Sequence, residues 1–138
     1  MSILAVYIDD EIDSESGIGK VEALRKYGVD VVPVPRVDTA MPLLRQRARE
    51  VSVILLDILM PCGDAYTLEE TNKGRDTGTR LLSDIRREFP EIPVIIISVK
   101  PPLEVQETID RYRVEGYIYR PALVPEIVDE IRRVVKRQ

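Results

Sequence analysis

Apolar residues recur along the chain in two rhythms. Short β-branched runs at Ile3–Ile8, Val31–Val34, Val51–Leu56, Val94–Ser98 and Gly116–Tyr119 read as strands, and segments of helical period lie between them. The third run is almost wholly apolar, as expected of a strand covered on both faces. Pro33 interrupts the second, and a residue without an N–H places that strand at an edge of the sheet. The first helix is expected from about Ser16 to Tyr27, with Ile18, Val21 and Leu24 inward and Gly28 as its stop. Asp38 or Thr39 is suited to cap the second, whose inner stripe is Ala40, Leu43, Leu44, the stem of Arg47, and Ala48. Leu81, Leu82, Ile85 and Phe89 mark a third. Pro101 and Pro102 open a fourth, with Val105, Ile109 and Tyr112 inward. Pro121 and Pro125 bracket the turn into the last, which buries Ile127, Val128, Ile131, Val134 and Val135. Its basic end, Arg132, Arg133, Lys136 and Arg137, suits the negative pole of a helix.

Five strands alternating with five helices imply a parallel α/β sheet with helices on both faces, because parallel neighbours need crossover connections. Ligands of such sheets gather outside the carboxyl ends of the strands. The notable polar residues fall there: Asp9 and Asp10 after the first strand, Asp57 after the third, Ser98 after the fourth and Arg120 after the fifth. Composition narrows what those residues do. A net charge of −4 argues against a nucleic-acid surface. Histidine is absent, which removes His-based triads and most catalytic zinc sites. Cys62 is the one cysteine, so no internal disulfide forms, and a reducing compartment suits it. The apolar runs are too short to cross a bilayer, and no signal-peptide pattern opens the chain, so a cytoplasmic protein without membrane contact is expected. The length of 138 residues suits one domain, with an extended loop at about 62–75.

The set Asp9-Asp10-Glu11, Asp57-Ile58-Leu59-Met60-Pro61, Ser98-Val99, Gly116-Tyr117 and Arg120-Pro121 resembles the receiver family of two-component response regulators. The likeness covers nearly the whole chain except the stretch from Cys62 to Gly74. It implies a flavodoxin-like sheet of order 2-1-3-4-5. It also implies that Asp10 and Asp57 ligate Mg²⁺, with Asp9 close by and the Leu59 backbone carbonyl completing the protein ligands. Asp57 is then the phospho-acceptor, served by a sensor histidine kinase or phosphotransfer protein. Ser98 binds the phosphoryl group, and Tyr117 is the switch aromatic that reports to a downstream protein through the fourth and fifth helices. Crowded carboxylates repel one another, and a hard divalent cation with oxygen ligands relieves that repulsion. The resemblance further implies a cis Arg120–Pro121 bond, pairing of copies through the fourth and fifth helices, and no enzymatic turnover beyond slow self-dephosphorylation. Slow hydrolysis is expected because apolar Leu59 offers no hydrogen bond to an attacking water. With no output domain within these residues, a stand-alone receiver is expected.

Three features depart from the family pattern. Arg120 stands where the family has lysine, and a planar guanidinium both binds phosphate and pairs durably with a carboxylate. Val99 is bulkier than the usual residue. The Asp-Gly-like element before the third helix appears late, as Asp76-Thr77-Gly78, after an added stretch in which Tyr66 and Leu68 are apolar enough to dock on a partner. The alternative function is therefore a non-phosphorylated receiver-like interaction module with Arg120 filling the acidic pocket. Other readings of single residues stay open at this point: Asp9 and Asp10 as caps of the first helix, and Tyr117 as ordinary packing.

Overall fold

The computed structural model describes residues 2–136. Its elements are β1 (Ile3–Ile8), α1 (Glu15–Lys26), β2 (Val29–Val34), α2 (Val37–Arg47), β3 (Val53–Asp57), α3 (Thr77–Glu88), β4 (Val94–Ser98), α4 (Pro102–Tyr112), β5 (Gly116–Tyr119) and α5 (Val124–Lys136). The strands form one parallel sheet in the order β2-β1-β3-β4-β5. Strand β2, which holds Pro33, is an outer strand, as the missing N–H requires. Strands β3 and β4 are buried along their whole length. Alternation sends Ile54, Leu56, Val94 and Ile96 to one face of the sheet, against Leu44 of α2 and Leu81, Leu82 and Ile85 of α3. Val53, Leu55, Ile95 and Ile97 go to the other, against Leu24 of α1 and Ile127, Val128 and Ile131 of α5. Each such side chain contributes roughly 2 kcal/mol over remaining in water.

Several boundaries differ from the sequence expectation for local reasons. Helix α1 is capped by Ser14, whose Oγ accepts from the Gly17 amide at 3.1 Å. Its buried stripe is Gly17, Val21 and Leu24, so Ile18 turns outward and is 51% exposed. Gly28 ends this segment at φ +87°, where a side chain is strained. Helix α2 begins at Val37, ahead of both expected caps, and has no side-chain cap. The Thr39 hydroxyl donates back to the Arg36 carbonyl, while the Asp38 carboxylate is taken by a more distant segment described below. Strand β2 starts at Val29, two residues early. Strand β3 runs from Val53; Ser52 before it donates its amide to the Leu4 carbonyl at 2.8 Å and accepts from the Leu4 amide with its Oγ at 3.0 Å. Pro125 lies inside the first turn of α5 rather than before it, a position where a missing N–H costs nothing. Of the basic residues at the end of α5, Arg132 donates to the Tyr27 carbonyl and Arg133 to that of Glu115; Arg137 lies outside the described residues.

The far side of the sheet is tied by a cation that the apolar pattern does not reveal. Arg86, on α3, donates to the carbonyls of Ile92 at 2.7 Å, Tyr112 at 2.9 Å and Arg113 at 3.0 Å, and pairs with Glu115. Glu115 in turn accepts from the Val94 amide at 2.8 Å. One guanidinium thus joins α3, the start of β4, the end of α4 and the approach to β5.

Candidate functional site

Strands β1 and β3 are neighbours, and both end in carboxylates at the same rim. Asp9, Asp10 and Asp57 each offer a carboxylate oxygen, and these oxygens lie within 4.8 Å of one another. Asp9 and Asp57 are buried, whereas Asp10 is exposed. The Asp pair does not cap α1, since Ser14 does. Asp9 Oδ1 instead accepts from the Glu11 amide at 2.9 Å, which bends the chain out of the strand. Asp57 Oδ1 accepts from the Leu59 amide at 3.0 Å.

Arg120 follows β5 and reaches across the rim. Its Nη2 is 3.0 Å from Asp57 Oδ2 and its Nη1 is 3.5 Å from Asp9 Oδ2. The Arg120 amide donates to the Ser98 carbonyl at 2.8 Å, which fixes where the side chain departs. The Arg120–Pro121 bond is cis. Burial pushes the Asp57 carboxyl up to about 6; the Leu59 amide and Arg120 pull it down, and Asp9 and Asp10 push it further up. Asp10 is also raised, by partial burial and then by Asp9. In both, burial is the leading cause, and the neighbouring carboxylates add to it.

Ser98 ends β4, fully buried, and its Oγ accepts from the Lys100 amide at 3.1 Å. The half-buried Tyr117 donates its hydroxyl to the Lys100 carbonyl, so the loop after β4 is gripped from β5 as well. Burial raises Tyr117 above the usual tyrosine value, and the adjacent Ser98 hydroxyl opposes that rise. Val99 is exposed at this rim, as is Leu59. The structure therefore brings together the sequence-predicted Asp9, Asp10, Asp57 and Arg120, and places Ser98 beside Tyr117 at the end of the neighbouring strand.

The added segment after Pro61 carries its own hydrogen bonds. Asp38 Oδ1 accepts from the amides of Asp64 at 2.8 Å and Ala65 at 2.6 Å. Thr67 and Glu70 satisfy each other's amides reciprocally. The buried Thr71 hydroxyl bridges the Thr67 carbonyl and the Gly74 amide. The Tyr66 hydroxyl donates to Asp84 of α3, and Arg80 lies over the Tyr66 ring. Leu68 stays exposed. A cleft of about 250 Å³ lies beside Asp10, walled by Val37, Asp38, Met60 and Gly63. Cys62 is a half-buried free thiol.

Two further observations concern residues that sequence reasoning passed over or used only as a spacing marker. Lys20 of α1 lies half-buried near the site, with its ammonium 5.8 Å from the Tyr7 ring centroid. Its place beside the α1 stripe is legible from periodicity, but its nearness to Arg120 depends on where β5 ends. Gly78 is the second: a Cβ there would lie 2.4 Å from both Cα and O of Ile58, and its amide donates to that carbonyl at 3.1 Å. Helix α3 thus starts flush against the residue following Asp57. The contact is with backbone, which cannot swing aside. Gly78→Ala is expected to lower stability by about 1–3 kcal/mol in urea unfolding, whereas Gly74→Ala, which meets no neighbour, pays only for its left-handed backbone.

No protein-family profile matches the chain, and no curated protein matches it in sequence. Solved structures do match. A Francisella response regulator receiver domain superposes with a TM-score of 0.77 at 21% identity, covering 99% of this chain and 98% of its own. The receiver domain of NtrX from Brucella abortus gives 0.75 at 22% identity, covering 97% and 99%. The BeF3-activated receiver domain of RstA from Klebsiella pneumoniae gives 0.74 at 23%, covering 98% and 99%. The fold is that of response-regulator receiver domains. Among the described residues, no helix is long and apolar enough to cross a membrane.

Proposed function

We propose that this protein is a receiver in which Asp57 accepts a phosphoryl group from a histidine kinase or phosphotransfer protein and passes the signal on by protein contacts in the cytoplasm. The observation that carries the reading is the meeting of three carboxylates at one strand rim, with Arg120 across them. Such an all-oxygen donor set fits a hard cation such as Mg²⁺. Asp9, Asp10 and Asp57 would hold it, with the Leu59 carbonyl as a further ligand. When bound, Mg²⁺ supplies positive charge that offsets the incoming phosphoryl oxygens.

Asp57 Oδ forms the new O–P bond as the bond from phosphorus to the donor's leaving atom breaks. Asp9 and the Leu59 amide hold the acceptor region in position. The Arg120 guanidinium already lies within hydrogen-bond range of Asp57, and its fork suits a phosphoryl oxygen. Ser98 turns its hydroxyl from the Lys100 amide to the phosphoryl group, and Tyr117, tied to the same loop, follows it. Apolar Leu59 leaves water unoriented, so the acyl phosphate is long-lived. Pairing of two copies through α4 and α5 belongs to the same reading.

Acetyl phosphate with Mg²⁺ is expected to add the mass of one phosphoryl group to the intact chain, and Asp57→Asn to abolish the addition. No added mass in the wild type would end the proposal. It would favour the second reading, which rests on the 3.0 Å Arg120–Asp57 pair: a non-phosphorylated interaction module whose arginine occupies the seat of the phosphoryl group.

A further inference from the structure

The carboxylate pocket has a second cation close to it. Lys20 projects from α1, half-buried, and its ammonium stands over the ring of Tyr7. Tyr7 lies in β1 two residues before Asp9, so strand alternation gives the two residues one face of the sheet. The Tyr7 hydroxyl is buried without a hydrogen-bond partner among the described residues, and so is Arg120 Nε. Arg120 spends its two terminal nitrogens on Asp57 and Asp9, and its third is unbonded. The space behind the carboxylates therefore holds two cationic side chains and a phenol, with no protein acceptor for the inner donor atoms. Burial holds the Lys20 ammonium below the ordinary lysine value, the like charge of Arg120 adds to that, and Asp9, Asp57 and Glu11 oppose it. Lys20 is thus within the electrostatic reach of Arg120 on one side and of two pocket carboxylates on the other.

We infer that Lys20, held over Tyr7 beside the pocket, is a longer-range counter-ion of its carboxylates, and that its charge tunes how tightly a divalent cation is held at Asp9, Asp10 and Asp57. The second half of this inference rests on the metal site of the proposed function. Three carboxylates against Arg120 alone leave two negative charges for a metal to meet; with Lys20 only one remains. Charge partners at such spacing in a half-buried setting act with energies comparable to or above thermal energy. Removing the ammonium while keeping an unbranched stem over Tyr7 is therefore expected to make the pocket more attractive to Mg²⁺.

Two measurements on the full chain decide the matter. In Mg²⁺ titrations followed by calorimetry, Lys20→Met is expected to tighten the Kd by about three- to tenfold, while Lys20→Arg stays near wild type. Unchanged or weaker affinity in Lys20→Met, or equal tightening in Lys20→Arg, overturns the inference. The second is a metal-free double-mutant cycle of melting temperatures with Lys20→Met and Asp57→Asn. Because burial and Arg120 already disfavour the Lys20 charge in the fold, Lys20→Met is expected to raise the melting temperature, and to raise it less in the wild type than in Asp57→Asn, because only the wild type has the Asp57 charge to attract the ammonium. An additive cycle overturns Lys20 as a counter-ion whatever the metal does. A coupled cycle with no Mg²⁺ binding by either protein sinks the metal reading of the proposed function and leaves Lys20 a counter-ion of the pocket.

Discussion

Asp57→Asn is expected to make the metal-free protein more stable at pH 7, by on the order of 2 kcal/mol, although it removes one end of an ion pair. The Asp57 carboxyl is pushed up to about 6 by burial and by Asp9 and Asp10, against the pull of Arg120. A carboxylate whose proton is held more tightly in the folded chain than in the unfolded one opposes folding once it ionises, with each pKa unit equivalent to 1.36 kcal/mol. The sign follows directly. Below about pH 4 Asp57 is protonated in the folded state, and the variant has little advantage. As pH rises from about 4 to 6 the folded wild type loses stability relative to the variant, and the gap stays open above that. Urea unfolding at pH 4 and pH 7 in a chelator measures it. Under the proposed function, Mg²⁺ at a hundredfold excess over Kd stabilises the folded wild type by about 2.7 kcal/mol, which closes or reverses the gap at pH 7. A less stable variant at pH 7 would mean that the Arg120 pair outweighs the crowding.

Arg86→Ala is expected to act in the other direction and destabilise the protein by about 3 kcal/mol. Arg86 lies with its guanidinium largely covered, bonded to three carbonyls and Glu115. Truncation leaves those acceptors facing one another with no donor, and leaves the Glu115 carboxylate without its cation. Glu115 is one-third exposed, so water takes over part of its charge and keeps the loss from rising further. For a chain of this size the melting temperature should fall by roughly 10 °C. Arg86→Lys should recover only part of this, because an ammonium cannot span four acceptors arranged for a planar fork.

These two residues also mark what sequence does and does not reveal. Asp57 was legible because its context is local: an apolar strand, the acid at its end, and Met60-Pro61 just after. A parallel sheet with Asp9, Asp10 and Asp57 at its carboxyl rim follows from element alternation, and the outer position of β2 from one proline; the full strand order follows only from the resemblance to receivers. Arg86 was not legible, since its acceptors at Ile92, Tyr112 and Arg113 are brought to it only by the turns before β4 and β5. Asp38 reads as a helix cap because acids near a helix start usually are; its true partners, the amides of Asp64 and Ala65, lie 26 and 27 residues away. Ile18 fits the apolar spacing of α1 but faces outward, because Gly17, flush against the Glu11 and Ile12 carbonyls, takes the inward place in the first turn. Periodicity thus fixes which face of an element is dry. It does not say what a long polar side chain at the boundary of that face will reach.

Pro33 carries a consequence for the molecule among its own copies. The outermost strand of a sheet is an invitation to polymerise: a second chain that aligns with its free backbone continues the ladder without end. Here that strand has an imide in place of one amide and presents the exposed carboxylate of Asp30. A newcomer would forfeit a rung and meet a charge within the same few residues. Chain-to-chain growth along this margin is therefore disfavoured.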